Sequence, residues 1–311
     1  MKIAIFGTGA VGGYFGGRLA QGGEEVVFIA RGKHLQALQA SGLKVDSING
    51  DFTIHPVQAT DDPSEAGVVD AVIVGVKAWQ VPEAAEAMWP MVGPQTFVVP
   101  LQNGVDAPSQ LAAVLGAEHV LGGLCGLMSF VVGPGHIQHA GIDPFVNFGE
   151  LDNRASDRTE KLRQAFVQAN VNAEIPPDIQ VATWRKFLFI VSVSGMGAVT
   201  RSPMGVFREL SETRKMLEQV LQEVFQVARA QHVNLPDDAV GTALAFIDGL
   251  PAEGTASMQR DIMEGRPSEL EAQNGAVVRL GQEVGVETPV NAFIYHSLLP
   301  MELRARGQME F

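Results

Sequence analysis

The chain has 311 residues, 46% of them apolar and 18% charged, with a formal net charge of −13. That length exceeds one nucleotide-binding domain and suits two domains with a sizeable core, while the acidic balance, with no basic stretch to offset it, excludes broad nucleic-acid binding. The single Cys125 cannot close an internal disulfide, which fits a reducing, cytoplasmic compartment.

Met1 to Gly7 reads as a buried strand. It runs into Gly7-Thr8-Gly9-Ala10-Val11-Gly12 and then into a helix from Gly13. Strand, glycine turn and helix in that order form a dinucleotide-binding fingerprint. Gly7 allows the turn, Gly9 lets the backbone approach a pyrophosphate, and Gly12 lets the helix lie close on the strand. The helix N-terminus then offers free N–H groups and partial positive charge to the phosphates. Lys2 ahead of an apolar run imitates a secretion signal, but glycines break the run and no cleavage pattern follows.

A second strand, Val26 to Ala30, ends at Arg31, nineteen residues past Gly12. An NAD site places a carboxylate about 20 residues on, whereas an arginine accommodates a 2′-phosphate. With Lys33 close by, the reading is NADPH. Leu43–Asp46 and Phe52–Pro56 are short extended pieces. Asp70–Lys77 and Thr96–Gln102 are buried strands, and Val81–Met88 and Pro108–Leu115 are helices between and after them. The alternation predicts an α/β, Rossmann-type, doubly wound parallel sheet. Lys77 and Asn103 fall at the C-terminal edge of that sheet, where open α/β sheets bind ligands. A solvated lysine and an Asn-Gly turn are the plainer readings of the same two residues.

Gly135–Ala140 and Pro144–Gly149 alternate and predict antiparallel additions at one sheet edge. A helix over Ser156–Asn170 and a strand over Asn172–Ile175 close the first domain, 1–177, at Pro176-Pro177-Asp178. His136 and His139 point to opposite faces of a strand, so no metal pair is expected, and Cys125 reads as an inert buried thiol.

From 178 to 311 the pattern is helical throughout, with Ile179–Val199, Ser211–Gln231, Pro236–Leu250 and Ser268–Val284 as the main segments. Ser211 and Asp237 are candidate N-terminal caps or first-turn residues; Gly281 and Gly285 are candidate stops. The apolar stretch Phe187–Val199 is too short and interrupted to span a bilayer. A Rossmann-type domain followed by a helical substrate domain places the expected cleft between the two.

Several motifs, in order and spacing, resemble the ketopantoate reductases (2-dehydropantoate 2-reductases) of the 6-phosphogluconate dehydrogenase-like group. They are the glycine loop, Ala30-Arg31-Gly32, Val76-Lys77-Ala78-Trp79-Gln80-Val81 and Gln102-Asn103-Gly104. In the helical half they are Trp184-Arg185-Lys186, Ser257-Met258-Gln259-Arg260-Asp261-Ile262 and Gly265-Arg266-Pro267-Ser268-Glu269-Leu270. The resemblance implies NADPH-dependent reduction of a 2-oxo acid to a 2-hydroxy acid, on the route to pantothenate. It implies Lys186 as general acid and Glu269 as the carboxylate that orients the substrate hydroxyl and pairs with the lysine. It also implies Ser257 as holder of the substrate carboxylate and Asn103 as a contact to cofactor and substrate.

The chemistry agrees, because ketone reduction needs a proton at the developing alkoxide. Lys186 lies among Trp184, Phe187, Leu188, Phe189 and Ile190. It is there either for function or as a stem that packs while its ammonium reaches water. Glu269 belongs to an acidic helix start that would favour carboxylates in any case.

The chain departs from the family where the helix after the lysine, and a position beyond it, present asparagines. Here those places hold Ile190, Ser194 and Met204. Positions 186, 190 and 194 share a helical face, so Ser194 becomes the substrate-side polar group and a more apolar 2-oxo acid is an alternative substrate. Two further readings are another dehydrogenase of this architecture and an NADPH-binding sensor without turnover. The helical half offers a surface for a homodimer.

Overall fold

The computed structural model describes every residue, Met1–Phe311. It divides into two compact units, Met1–Gln102 with Ala107–Ile179, and Asn103–Asp106 with Gln180–Phe311. The chain thus changes unit close to Pro176-Pro177-Asp178, and a four-residue segment carrying Asn103 belongs with the helical unit.

The first unit holds strands β1 (Lys2–Phe6), β2 (Glu25–Ile29), β3 (Leu43–Ser47), β4 (Phe52–Ile54), β5 (Gln58–Thr60), β6 (Ala71–Val74), β7 (Phe97–Pro100), β8 (Leu121–Gly133), β9 (His136–Glu150) and β10 (Asn172–Glu174). Its helices are α1 (Ala10–Gln21), α2 (Gly32–Ser41), α3 (Pro63–Ala66), α4 (Val81–Ala87), α5 (Ala107–Leu115) and α6 (Asp157–Gln168). Five strands pair in parallel in the order β5-β2-β1-β6-β7. Strand order reverses at β1, so the ends of β1 and β6 form the switch point of a doubly wound sheet. The period-2 geometry of β1 sends Ile3 and Ile5 into one core and Ala4 and Phe6 into another. Apolar side chains on both faces are what a sheet covered on both sides requires.

The other strands form a second, mixed sheet in the order β10-β9-β3-β4, with β8 antiparallel to β9. Here the structure corrects the expectation of two short strands added to the first sheet. Gly135–Ala140 and Pro144–Gly149 are parts of one fifteen-residue strand, β9. Pro144 is tolerated because the β8–β9 ladder is irregular between the Met128–Ala140 and Gly126–Phe145 pairs, so its missing N–H breaks no bond there. His136 Nε2 lies 2.6 Å from Asp46 Oδ2, while His139 Nδ1 lies 2.8 Å from Ser47 Oγ.

The second unit is helical: α7 (Ile179–Thr200, with Ile179 counted in the first unit), α8 (Met204–Glu209), α9 (Ser211–Ala230), α10 (Ala239–Gly249), α11 (Ser257–Met263), α12 (Ala276–Val284) and α13 (Pro289–Ala305). On α9, Leu217, Val220, Leu221, Val224, Val227 and Ala228 bury the 3–4 spaced face that the sequence carries. Residues 191–198 of α7 are all buried. Small residues allow this, since a Cβ on Gly197 would lie 2.3 Å from Gln259 Oε1.

The expected helix over Ser268–Val284 forms from Glu271 onward without a gap, but its first turn is not α-helical. Glu271–Gly275 is π-helical and α12 follows it, ending at Gly285 with φ +71°. Gly281 lies inside α12 and stops nothing. Asp237 does not cap α10; it pairs with Arg229 at 3.6 Å. Ser211 is the first residue of α9, and its hydroxyl donates to Glu212. No helix is long and apolar enough to cross a membrane.

Candidate active site

In the first unit the glycine loop has the geometry a dinucleotide demands. Gly7 has φ +96°, and a Cβ there would lie 2.5 Å from Val76 Cγ1. Gly12 is tighter still, since a Cβ would meet the Gly7 carbonyl oxygen at 2.2 Å. Gly75, at the end of β6, closes the other side: its Cβ would lie 2.8 Å from the same oxygen. Around Gly9, by contrast, nothing lies within 4 Å. The loop is closed toward the protein and open where a pyrophosphate would approach.

Thr8 is buried and its hydroxyl donates to the Ile29 carbonyl at 3.1 Å, tying the loop to β2. Ala10 and Val11 open α1, which has no side-chain cap and no acidic residue in its first turn. First-turn N–H groups of a helix lack intrahelical partners, so this uncapped start suits an anion. These residues fit a nicotinamide dinucleotide.

Arg31 sits at the head of α2 with its side chain in solvent, 3.6 Å from Glu83. Such an exposed pair is weak, which leaves the guanidinium available to a stronger anion. Burial lowers the pKa of His34, and its Nδ1 accepts the Gly135 N–H at 3.1 Å. Lys77 follows β6, with its ammonium 5.8 Å from the centre of the Trp79 ring. Gln102, which the motif left without a role, is structural. Its buried Nε2 donates to the Val74 and Val76 carbonyls, both at 2.9 Å, and so fixes the backbone on either side of Gly75.

In the second unit, Asn103 Nδ2 donates to Glu269 Oε2 at 3.2 Å. Two residues 166 apart in sequence therefore meet. Glu269 is only 6% exposed. Its neighbour Ser268 is anchored by the C-terminal helix: the backbone N–H donates to both oxygens of Glu302 (3.1 and 3.0 Å), and the hydroxyl donates to Oε2 at 2.5 Å. Arg306 Nε donates to Glu302 Oε1 at 2.6 Å, so the buried carboxylate is matched by charge. On the exposed side of the π segment, Tyr295 donates to Glu271 Oε2 at 2.5 Å. Burial, then the Glu271 carboxylate, pushes the Tyr295 phenol up to about 12, so it remains a donor at neutral pH.

Lys186 is half-buried on α7 and takes part in no ion pair. Trp184 and Phe187, stacked edge-to-face with centroids 5.4 Å apart, fix the turn around it. One turn on, Ile190 is half-buried; two turns on, Ser194 is fully buried. Met204 is buried in α8. Ser257 is the first residue of α11 and half-buried. Arg260 on the same helix donates to the Thr255 carbonyl and hydroxyl at 2.6 and 2.9 Å. Cys125 lies buried in the first unit, its thiol 3.6 Å from the Leu101 carbonyl.

A Rossmann-type domain with this loop, joined to a helical domain bearing these residues, defines a nicotinamide-dependent oxidoreductase. The family model for ketopantoate reductase PanE/ApbA matches residues 3–153, and the model for its C-terminal part matches residues 178–302. The chain belongs to the ketopantoate reductase family. It is 32% identical to a 2-dehydropantoate 2-reductase of Nostoc sp., over 99% of this chain and 98% of the relative. Among solved structures, a 2-dehydropantoate 2-reductase from Geobacter metallireducens superposes with TM-score 0.90 at 33% identity, covering 96% of this chain and 99% of that one. A PanE/ApbA family ketopantoate reductase from Ralstonia eutropha gives TM-score 0.90 at 32% identity, covering 98% of this chain and 100% of that one.

Proposed function

We propose that this chain reduces a 2-oxo acid to the 2-hydroxy acid with NADPH, and that 2-dehydropantoate, reduced to pantoate for pantothenate synthesis, is its substrate. The observation that carries the reading is the Asn103–Glu269 contact, which holds a buried carboxylate by an amide. The 2-dehydropantoate 2-reductases among the relatives support it. The cofactor, held by Gly7, Thr8, Gly9, Ala10, Val11 and Gly12 with Arg31 and Lys77, supplies the hydride when bound. Lys186 donates the proton to the carbonyl oxygen as negative charge develops there. Glu269 accepts from the substrate hydroxyl and, steadied by Asn103, sets its orientation. Ser257 donates to the substrate carboxylate.

The phosphate preference rests on Arg31. Charge-assisted hydrogen bonds contribute about 1.5–3 kcal/mol. Arg31→Ala should therefore raise KM for NADPH by roughly 10- to 100-fold and leave KM for NADH within about twofold. Steady-state kinetics with both nucleotides checks this, and an unchanged NADPH KM would remove Arg31 from the site.

A second reading has one specific observation behind it: Ile190 is apolar on the Lys186 face of α7. A less polar face suits a branched or aromatic 2-oxo acid. Initial rates with 2-dehydropantoate beside a panel of such acids, under saturating NADPH, separate the two. The expected result is highest kcat/KM with 2-dehydropantoate. A tenfold preference for an aromatic acid would reassign the substrate.

A further inference from the structure

The second unit encloses polar atoms that have nothing to bond. Ser194 Oγ, both polar atoms of the Gln273 carboxamide, and Asn274 Oδ1 are buried without a hydrogen-bond partner. All three residues are 0% exposed. Leaving such groups unmatched is costly, so each needs a physical reason.

The elements that carry these groups meet in the fold. Helix α7 and the π segment meet at Gly195 and Asn274, where a Cβ on Gly195 would lie 2.8 Å from the Asn274 amide nitrogen. Ser194 and Gln273 are the residues next to those two in sequence. Ser194 continues the face of α7 that carries Lys186. The Gln273 N–H donates to the Glu269 carbonyl at 3.0 Å, so Gln273 stands one turn beyond that carboxylate. Asn274 is secured from behind, its Nδ2 donating to Asn291 Oδ1 at 3.0 Å. The Gln273 side chain has no such anchor. Helix α7, which carries the proposed acid, and the π segment that follows the proposed orienting carboxylate therefore also carry a free hydroxyl and a free carboxamide.

We infer that Gln273 is a specificity-determining residue whose carboxamide, with the Ser194 hydroxyl, hydrogen-bonds a hydroxyl group on the 2-oxo acid. The one proton of that hydroxyl goes to Glu269, while its oxygen can still accept two hydrogen bonds, one from the Gln273 N–H and one from the Ser194 O–H. The amide that α7 lacks at positions 190 and 194 is supplied by the π segment instead. The inference rests on the reductase reading above and sharpens it toward a hydroxylated substrate.

The test compares 2-dehydropantoate with 3,3-dimethyl-2-oxobutanoate, the same skeleton without its hydroxyl, in the wild-type chain and in Gln273→Leu. Leucine fills similar volume and has no polar atom. With NADPH saturating, Gln273→Leu is expected to raise KM for 2-dehydropantoate about 10- to 100-fold. It should change kcat/KM for the deoxy analogue less than about threefold, with melting temperature equal to or above wild type. Equal losses on both acids, or a lower melting temperature with discrimination unchanged, would make Gln273 a structural amide and overturn the inference. A wild-type chain that reduces neither acid removes 2-dehydropantoate as the substrate, and this inference with it. A wild-type chain that reduces both equally leaves that reading standing and overturns this inference alone.

Discussion

Lys186→Ala should lower kcat by roughly 10³-fold while leaving the dissociation constant for NADPH within about twofold. The rate falls because the variant has no group on α7 to protonate the alkoxide as hydride arrives. A positioned acid or oxyanion donor is worth about 10²–10⁴ in rate. Nucleotide affinity stays because the glycine loop belongs to the other structural unit. Lys186→Arg should not restore the rate. A guanidinium keeps its positive charge but does not release its proton near neutral pH, so it can stabilise charge without completing the transfer. Stopped-flow oxidation of NADPH and fluorescence titration of the nucleotide measure the two quantities separately. A variant that retains a tenth of wild-type kcat would show that the lysine only packs its stem against Trp184 and Phe187.

The parts of the site that local geometry dictates were readable from the chain. A turn that needs positive φ and a helix that must touch a strand leave glycines in place, and Gly7 and Gly12 do both jobs within six residues. Helical spacing placed Ser194 on the Lys186 face in the same way. Gly75 escaped because its role is set through space, by the Gly7 carbonyl oxygen just past the end of β1, a strand that neighbours β6 only in the sheet. Strand β8 escaped because its glycines at 122, 123 and 126 imitate a loop. They are needed there because a Cβ on Gly122 would press on Ile179 at 2.7 Å and one on Gly126 on the Phe145 ring at 2.0 Å. The π-helical turn escaped too, since its apolar spacing differs from an α-helix by less than one residue per turn. That turn is what separates Gln273 from a standard helical register, and with it the most specific inference about substrate.

Glu223→Leu should cost about 3–5 kcal/mol of stability, the penalty of leaving buried polar groups without their partner. Glu223 lies on the apolar face of α9 and is 7% exposed. Its carboxylate accepts the Val290 N–H at 2.8 Å, the Asn291 N–H at 2.9 Å and the Asn291 side-chain amide at 2.7 Å. Thr288, at the head of α13, makes no side-chain cap, so the carboxylate supplied by α9 does the capping and also complements the positive end of the helix. Leucine would leave three donors unmatched at once. Asn291 is in turn the acceptor for Asn274, so the same loss reaches the π segment that follows Glu269. Glu223→Gln keeps one acceptor oxygen and should lose only about 1–2 kcal/mol. Guanidinium unfolding of the three proteins should therefore rank wild type above Glu223→Gln above Glu223→Leu. A leucine variant within about 1 kcal/mol of wild type would mean that water replaces the carboxylate at the start of α13. The cap would then be incidental to the fold.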